Sequence, residues 1–170
     1  MAKLITDLET IARETQRNER KNFAFRSFLK VELDWSSRKL DALVHEILRS
    51  VTSEIDCTQC GHCCRVMMPS LHPGDMERLV RRLGTDKQEF EDKHVIADEF
   101  GEKALAETPC PFHDGMKCTV YEDRPRDCRD YPNLYKKDFS SQMLSVVESA
   151  AICPIVFNVL EQLKDRFNWR

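Results

Sequence analysis

Leu40, Leu43, Val44, Ile47, Leu48 and Val51 recur at i, i+3, i+4, i+7, i+8 and i+11. That spacing gives residues 37–52 one apolar helical face, with Asp34, Ser36 and Ser37 as candidate N-caps. Leu4, Leu8 and Ile11 share a face over 4–15, opposite a Glu9–Arg13 pair at i,i+4. A third helix is predicted from Pro73 to Leu83, with Met76, Leu79, Val80 and Leu83 inward and Gly84 as its stop. Thr85-x-x-Gln88 has the form of a capping box for a short helix through Phe90. The last helix opens at Pro154, with Val156, Leu160, Leu163 and Phe167 at buried spacing. Residues 23–35 are aromatic-rich without a clear period, and 139–152 give no assignment. Between 110 and 121, Asp114-Gly115 predicts a tight loop or small hairpin, and Pro125 opens a short turn carrying Cys128.

The chain has 170 residues, enough for one domain with a core of its own. Twenty-six basic against 29 acidic side chains leave a net charge of −3, which argues against nucleic acid or an anionic membrane as the main partner. No apolar run approaches the ~20 residues of a membrane span. The N-terminal residues MAKLITDLETIARETQRNERK lack the apolar stretch of an export signal, so a cytoplasmic location is expected.

Eight cysteines change this picture: Cys57, Cys60, Cys63, Cys64, Cys110, Cys118, Cys128 and Cys153. The cytosol keeps thiols reduced, so clustered cysteines there point to metal ligation rather than disulfides. Soft metal ions and iron–sulfur clusters need several thiolates converging on one point, and C-x-x-C turns the chain so that two sulfurs face together. Cys57-Thr-Gln-Cys60-Gly-His-Cys63 chains two such units, with Gly61 free to take backbone angles other residues resist. Adjacent side chains diverge, so Cys63 and Cys64 are expected to serve two sites, or one of them to be a packing residue. Eight thiolates divide into two four-sulfur sites, each of net charge about −2 with zinc or a [4Fe–4S] cluster. Cys153 precedes the last helix, whose N-terminal dipole favours a thiolate. Cys60-Gly-His-Cys63 also matches a disulfide-isomerase dithiol, but that chemistry needs a strand before the motif, and here a helix precedes it. Eight cysteines make His62 and His113 unnecessary as ligands, and both are expected at the surface.

From Cys57 onward the chain resembles the YkgJ-type cysteine-cluster family of zinc- or iron-chelating and iron–sulfur-cluster-containing proteins. The resemblance rests on CTQCGHCC at 57–64, Cys110-Pro-Phe112, Cys118-Thr-Val-Tyr-Glu-Asp-Arg-Pro-Arg-Asp-Cys128-Arg129, Tyr131-Pro132 and Cys153-Pro154. It implies metal binding and leaves the reaction open. The cysteine pattern is also similar to that of flagellin lysine-N-methylases, which implies a metal- and S-adenosylmethionine-dependent enzyme as one alternative; a purely structural zinc module is another.

The expected molecule is a mainly α, small single domain whose cysteine-rich loop core is organised by metal. Residues 1–56 form a helical segment packed on that core, 57–155 the metal-binding region and 156–170 a C-terminal helix of the same domain. All eight cysteines are candidate ligands for an iron–sulfur cluster or zinc, tying together 57–64, 110–128 and the start of the last helix. The centre is a candidate electron carrier. Arg124 and Arg129 are candidates to neutralise thiolate charge beside it, Arg126 being the third arginine of that loop. The metal is the expected partner, with no nucleic acid and no membrane; the sequence names no protein partner.

Overall fold

The computed structural model describes residues 3–115 and 117–169. In chain order its elements are α1 (Leu8–Arg17), α2 (Glu19–Ser27), α3 (Ser37–Thr52), α4 (Cys57–Cys60), α5 (Cys63–Val66), α6 (Asp75–Leu83), α7 (Lys87–His94), β1 (Val95–Ala97), β2 (Lys103–Leu105), α8 (Arg126–Asp130), α9 (Met143–Ser149) and α10 (Pro154–Arg166). The protein is mainly α, and its described residues hold one two-stranded antiparallel sheet. No helix among them is long and apolar enough to cross a membrane. The chain gathers into two compact units, one from the described residues up to Cys57 and from Pro132 onward, the other from Thr58–Tyr131.

In the first unit α10 is apolar around most of its circumference. Ile155, Val156, Phe157, Val159, Leu160 and Leu163 are all buried, and α3 lies along it with Leu40, Val44, Ile47, Leu48 and Val51 inward. Ser36 is the cap of α3, its hydroxyl accepting from the Lys39 N–H. α1 begins at Leu8 rather than Leu4, because the Asp7 carboxylate accepts from the Thr10 N–H at 2.8 Å and sets the start there. The ambiguous 23–35 stretch continues α2 into a π-turn at Phe28–Glu32. Its aromatic content serves a ring cluster: Phe25, Phe28 and Trp35 pack around Phe167, and Trp169 stacks on Phe28. Residues 139–142 form a 3₁₀ turn leading into α9; the buried Asp41 carboxylate accepts from the backbone N–H groups of Asp138 and Phe139 at 3.0 and 2.9 Å.

The second unit is built on Met76, Leu79, Phe90, Leu105, Phe112 and Val120. α6 starts at Asp75 rather than at Pro73, after Gly74, and ends at Gly84, whose φ of 66° is the left-handed stop expected of it. The cap of α7 is Asp86, accepting from the Gln88 N–H at 2.8 Å, whereas Thr85 donates its hydroxyl to Glu89. An Asp carboxylate one residue later outcompetes the Thr hydroxyl, and the helix runs on to His94. β1 pairs with β2 in the register Val95–Leu105, Ile96–Ala104 and Ala97–Lys103. At 110–121 the chain makes a tight loop closed by one bridge, His113 with Cys118.

Candidate metal centre

Downstream of α3 the chain makes two single helical turns, α4 and α5, separated by Gly61 at φ 57°. Cys57 and Cys60 bracket the first turn, and Cys63 and Cys64 begin the second. The Cys63 thiol donates to the Cys64 sulfur, so the two neighbours are in direct contact. Together with the Arg65 guanidinium and the residue's own N–H, that bond draws the Cys64 thiol down to about 7. Cys64 is therefore poised to ionise near neutrality. Its carbonyl accepts from the Cys110 N–H at 2.7 Å, which ties two cysteine segments 46 positions apart in sequence main chain to main chain.

The 110–120 loop is placed by the core. Phe112 and Val120 are buried in it, and Cys110 and Cys118 pack against it, each two residue positions away. Pro111 has no N–H, and the next one, on Phe112, donates to the Cys110 sulfur; the Val120 N–H does the same for Cys118. Each N–H···S bond favours a thiolate. The loop closes through Lys117 N–H to the Asp114 carboxylate at 2.8 Å and Thr119 N–H to the Phe112 carbonyl at 2.8 Å.

Cys128 rides on α8, which starts after Pro125 as predicted. Two carboxylates hold that helix in place. Asp75, 1% exposed, accepts from the Arg126 N–H at 3.1 Å and the His72 N–H at 2.9 Å and is ion-paired with Arg78. Asp127 takes the Ser70 N–H at 3.1 Å and bonds His72 Nε2 at 2.7 Å. Nothing in the spacing of residues singled out His72 or Asp75, because the partners through which they hold α8, Asp127 and Arg126, lie more than 50 positions away.

Four sulfurs share one electrostatic neighbourhood. Burial first, then the charges of Cys64, Cys118 and Glu107, push the Cys110 thiol up. Burial first, then Cys64 and Asp114, push Cys118 up, while Arg124 pulls it back. Cys128 is pushed up to about 12, by desolvation and then by Cys64, Cys110, Cys118 and Asp127. Cys128 is nonetheless exposed as a residue, and repulsion from Cys64, Cys110, Cys118 and Asp127 as they ionise adds to the desolvation. Cys64, Cys110, Cys118 and Cys128 thus come together, with Cys63 bonded to one of them. Among the described residues no three His, Cys, Asp or Glu side chains close on one point as a finished ion site. The donor set suits a soft metal all the same: four sulfurs that feel one another's charge, two held by N–H donors, whose joint ionisation a cation would balance.

Cys57 is exposed at the start of α4 and Cys60 half-buried at its end, and Cys153 is buried before α10 in the first unit. Arg124 donates to the Tyr121 carbonyl and lies over that ring, 3.7 Å from its centroid. Arg126 pairs with Asp130 at 3.4 Å, and Arg129 is exposed on α8. His62 is half-buried rather than at the surface. His113 is also half-buried, its ring lying over Gly61 with Nε2 shielded from solvent. The bare α-carbon between Cys60 and His62 was the sequence signal for that contact.

A model of the CxxCxxCC family, described as a "Putative zinc- or iron-chelating domain", matches residues 56–154. The chain belongs to that family. The signature stands at Cys57, Cys60, Cys63 and Cys64, and the matched span takes in all eight cysteines. No curated protein and no solved structure matches the chain. Membership of the CxxCxxCC family makes metal chelation, of zinc or iron, the coarse function of this cysteine-rich region.

Proposed function

We propose that the protein holds an iron–sulfur cluster through cysteine thiolates and serves as an electron carrier in a reducing compartment. The observation that carries this reading is the main-chain bond joining Cys110 to Cys64, together with the influence of Cys64, Cys110, Cys118 and Cys128 on one another's ionisation. A full set of four thiolates is what such clusters take. The C-x-x-C-x-x-C run at 57–63 is similar to ferredoxin ligation and favours iron–sulfur over zinc. Cys57, Cys60, Cys63 and Cys153 are the remaining ligand candidates, and 57–155 is the metal-binding region. Arg124 eases the accumulation of negative charge, since its guanidinium favours the ionised Cys118. Arg129, next to Cys128, is the second candidate for that role.

Structural zinc is the second reading, favoured by the one-turn Cys57–Cys60 pair, a geometry zinc uses equally well. Anaerobic purification followed by iron, zinc and acid-labile sulfide analysis separates the two. Iron and sulfide together, with broad visible absorption, are expected. Zinc without sulfide would replace the first reading by the second. A reduced protein that binds neither would overturn both.

A further inference from the structure

His113 sits where two cysteine-bearing segments meet. Its N–H donates to the Cys110 carbonyl at 3.0 Å, and its backbone bridges Cys118. Its ring lies on the Gly61 backbone, so that a β-carbon built on Gly61 would fall 2.6 Å from Nε2. Gly61 is the residue between Cys60 and His62, in the middle of the cysteine run. Side chain and glycine are matched: the imidazole edge fills the space that any other residue would occupy.

The two ring nitrogens have different surroundings. The Gly115 N–H donates to Nδ1 at 3.3 Å, and the Gly115 carbonyl is itself a target of Arg65, at 3.5 Å. Nδ1 is therefore the acceptor of the neutral ring, and the proton resides on Nε2. Nε2 is shielded from solvent and has no hydrogen-bond partner among the described residues. A buried N–H without an acceptor costs free energy that the fold recovers only when an acceptor arrives. It also has no lone pair to give a metal in this tautomer, so direct ligation does not satisfy it. A metal-bound thiolate or sulfide does, because sulfur carrying negative charge accepts N–H bonds.

We propose that His113 is a positioning residue that donates its Nε2–H to a metal-bound sulfur at the Cys57–Cys64 loop. The inference rests on the iron–sulfur reading above for the sulfur it addresses. Hydrogen bonds to cluster sulfurs stabilise the more negative, reduced state and so raise the potential. Gln at this position places an amide N–H close to where Nε2 stands; Leu fills similar volume with no donor.

The test compares wild type, His113→Gln and His113→Leu, purified anaerobically, by metal content and by midpoint potential. With iron content equal, His113→Leu is expected to shift to a more negative potential and His113→Gln to stay near wild type. Loss of iron in His113→Leu with retention of iron and potential in His113→Gln supports the same donor role. Equal potentials in wild type and His113→Leu overturn the proposal, as does a Gln variant that behaves like Leu. If the metal proves to be zinc, the readout becomes the rate of zinc release to a thiol-modifying reagent. There His113→Leu is expected to release faster and His113→Gln at the wild-type rate, and equal rates overturn the proposal. A wild-type protein that binds no metal overturns the proposed function and this inference with it, whereas metal retained with the readout unmoved overturns the inference alone.

Discussion

Replacing Gly61 by Ala perturbs the cysteine run in two separable ways. The first is the backbone: at φ 57° an L-residue occupies the left-handed region, at a cost of roughly 1–2 kcal/mol. The second is contact. The new methyl would sit 2.6 Å from His113 Nε2 and 3.3 Å from its Cε1, so the ring must move. Overpacking of that kind costs about 1–3 kcal/mol. The Gly115 N–H on Nδ1 holds the ring, and the residue's backbone N–H on the Cys110 carbonyl holds the main chain beneath it, so moving the ring disturbs the first of these bonds. The sum for Gly61→Ala is roughly 2–5 kcal/mol. A double-mutant cycle with His113→Ala isolates the contact, because the backbone cost survives in the double variant and the clash does not. Urea unfolding of all four proteins, anaerobic, reduced and at equal metal content, gives the coupling. The double variant is expected to be more stable than the sum of the singles predicts, by about 1–3 kcal/mol. Additivity within about 0.5 kcal/mol would refute the reasoning and place His113 away from Gly61.

Ser at Cys64, Cys110, Cys118 or Cys128 is expected to lower metal content at the same site in each case, since oxygen replaces thiolate poorly at a soft centre; metal analysis of the four purified variants checks this. In the metal-free, reduced chain Cys64 should be alkylated at half its limiting rate near pH 7 and slowly below it, where its thiol is protonated. Cys110 and Cys118 should require more alkaline solution than Cys64, and Cys128 the most alkaline; peptide mapping after pulse alkylation reads all four. Cys63→Ala removes the donor and should move the Cys64 transition to higher pH. Asp75→Ala leaves the Arg126 and His72 N–H groups without their acceptor and Arg78 without its partner. A loss of about 3–5 kcal/mol in urea unfolding is expected, with Cys128 becoming more reactive as α8 loosens.

Elements with long apolar faces were legible in the sequence. α3 starts and ends where its pattern and its Ser36 cap put it, and Pro154 marks the first residue of α10. Gly84 and Pro125 punctuate the chain as their backbone preferences dictate. Shorter or more polar elements were not legible. β1 and β2 are three residues each, too short to display a period, and their pairing follows from burying Leu105 beside Phe90 and Phe112. α9 does carry Met143, Val146 and Val147 at helical spacing, with Ala150 as its buried cap, but over two turns only. The eight cysteines announced a soft-metal region by number and clustering. Their grouping was hidden, because what brings Cys64 to Cys110 is a main-chain bond, and what brings Cys128 near both is a pair of carboxylates, Asp75 on α6 and Asp127 on α8, each bonded to a distant segment. His113 reads as a surface residue until the missing side chain at Gly61 is set beside it.

The loop that carries Cys110 and Cys118 also supplies Phe112 and Val120 to the core of its unit, so one stretch of eleven residues answers to two selections at once. A genetic screen scored only on metal retention would therefore return core positions such as Phe112, Val120 and Leu79 mixed with the cysteines. Temperature sorts the two classes. Core variants would be conditional alleles, holding metal in the cold and losing it as the unit melts, while cysteine variants would be deficient at every temperature.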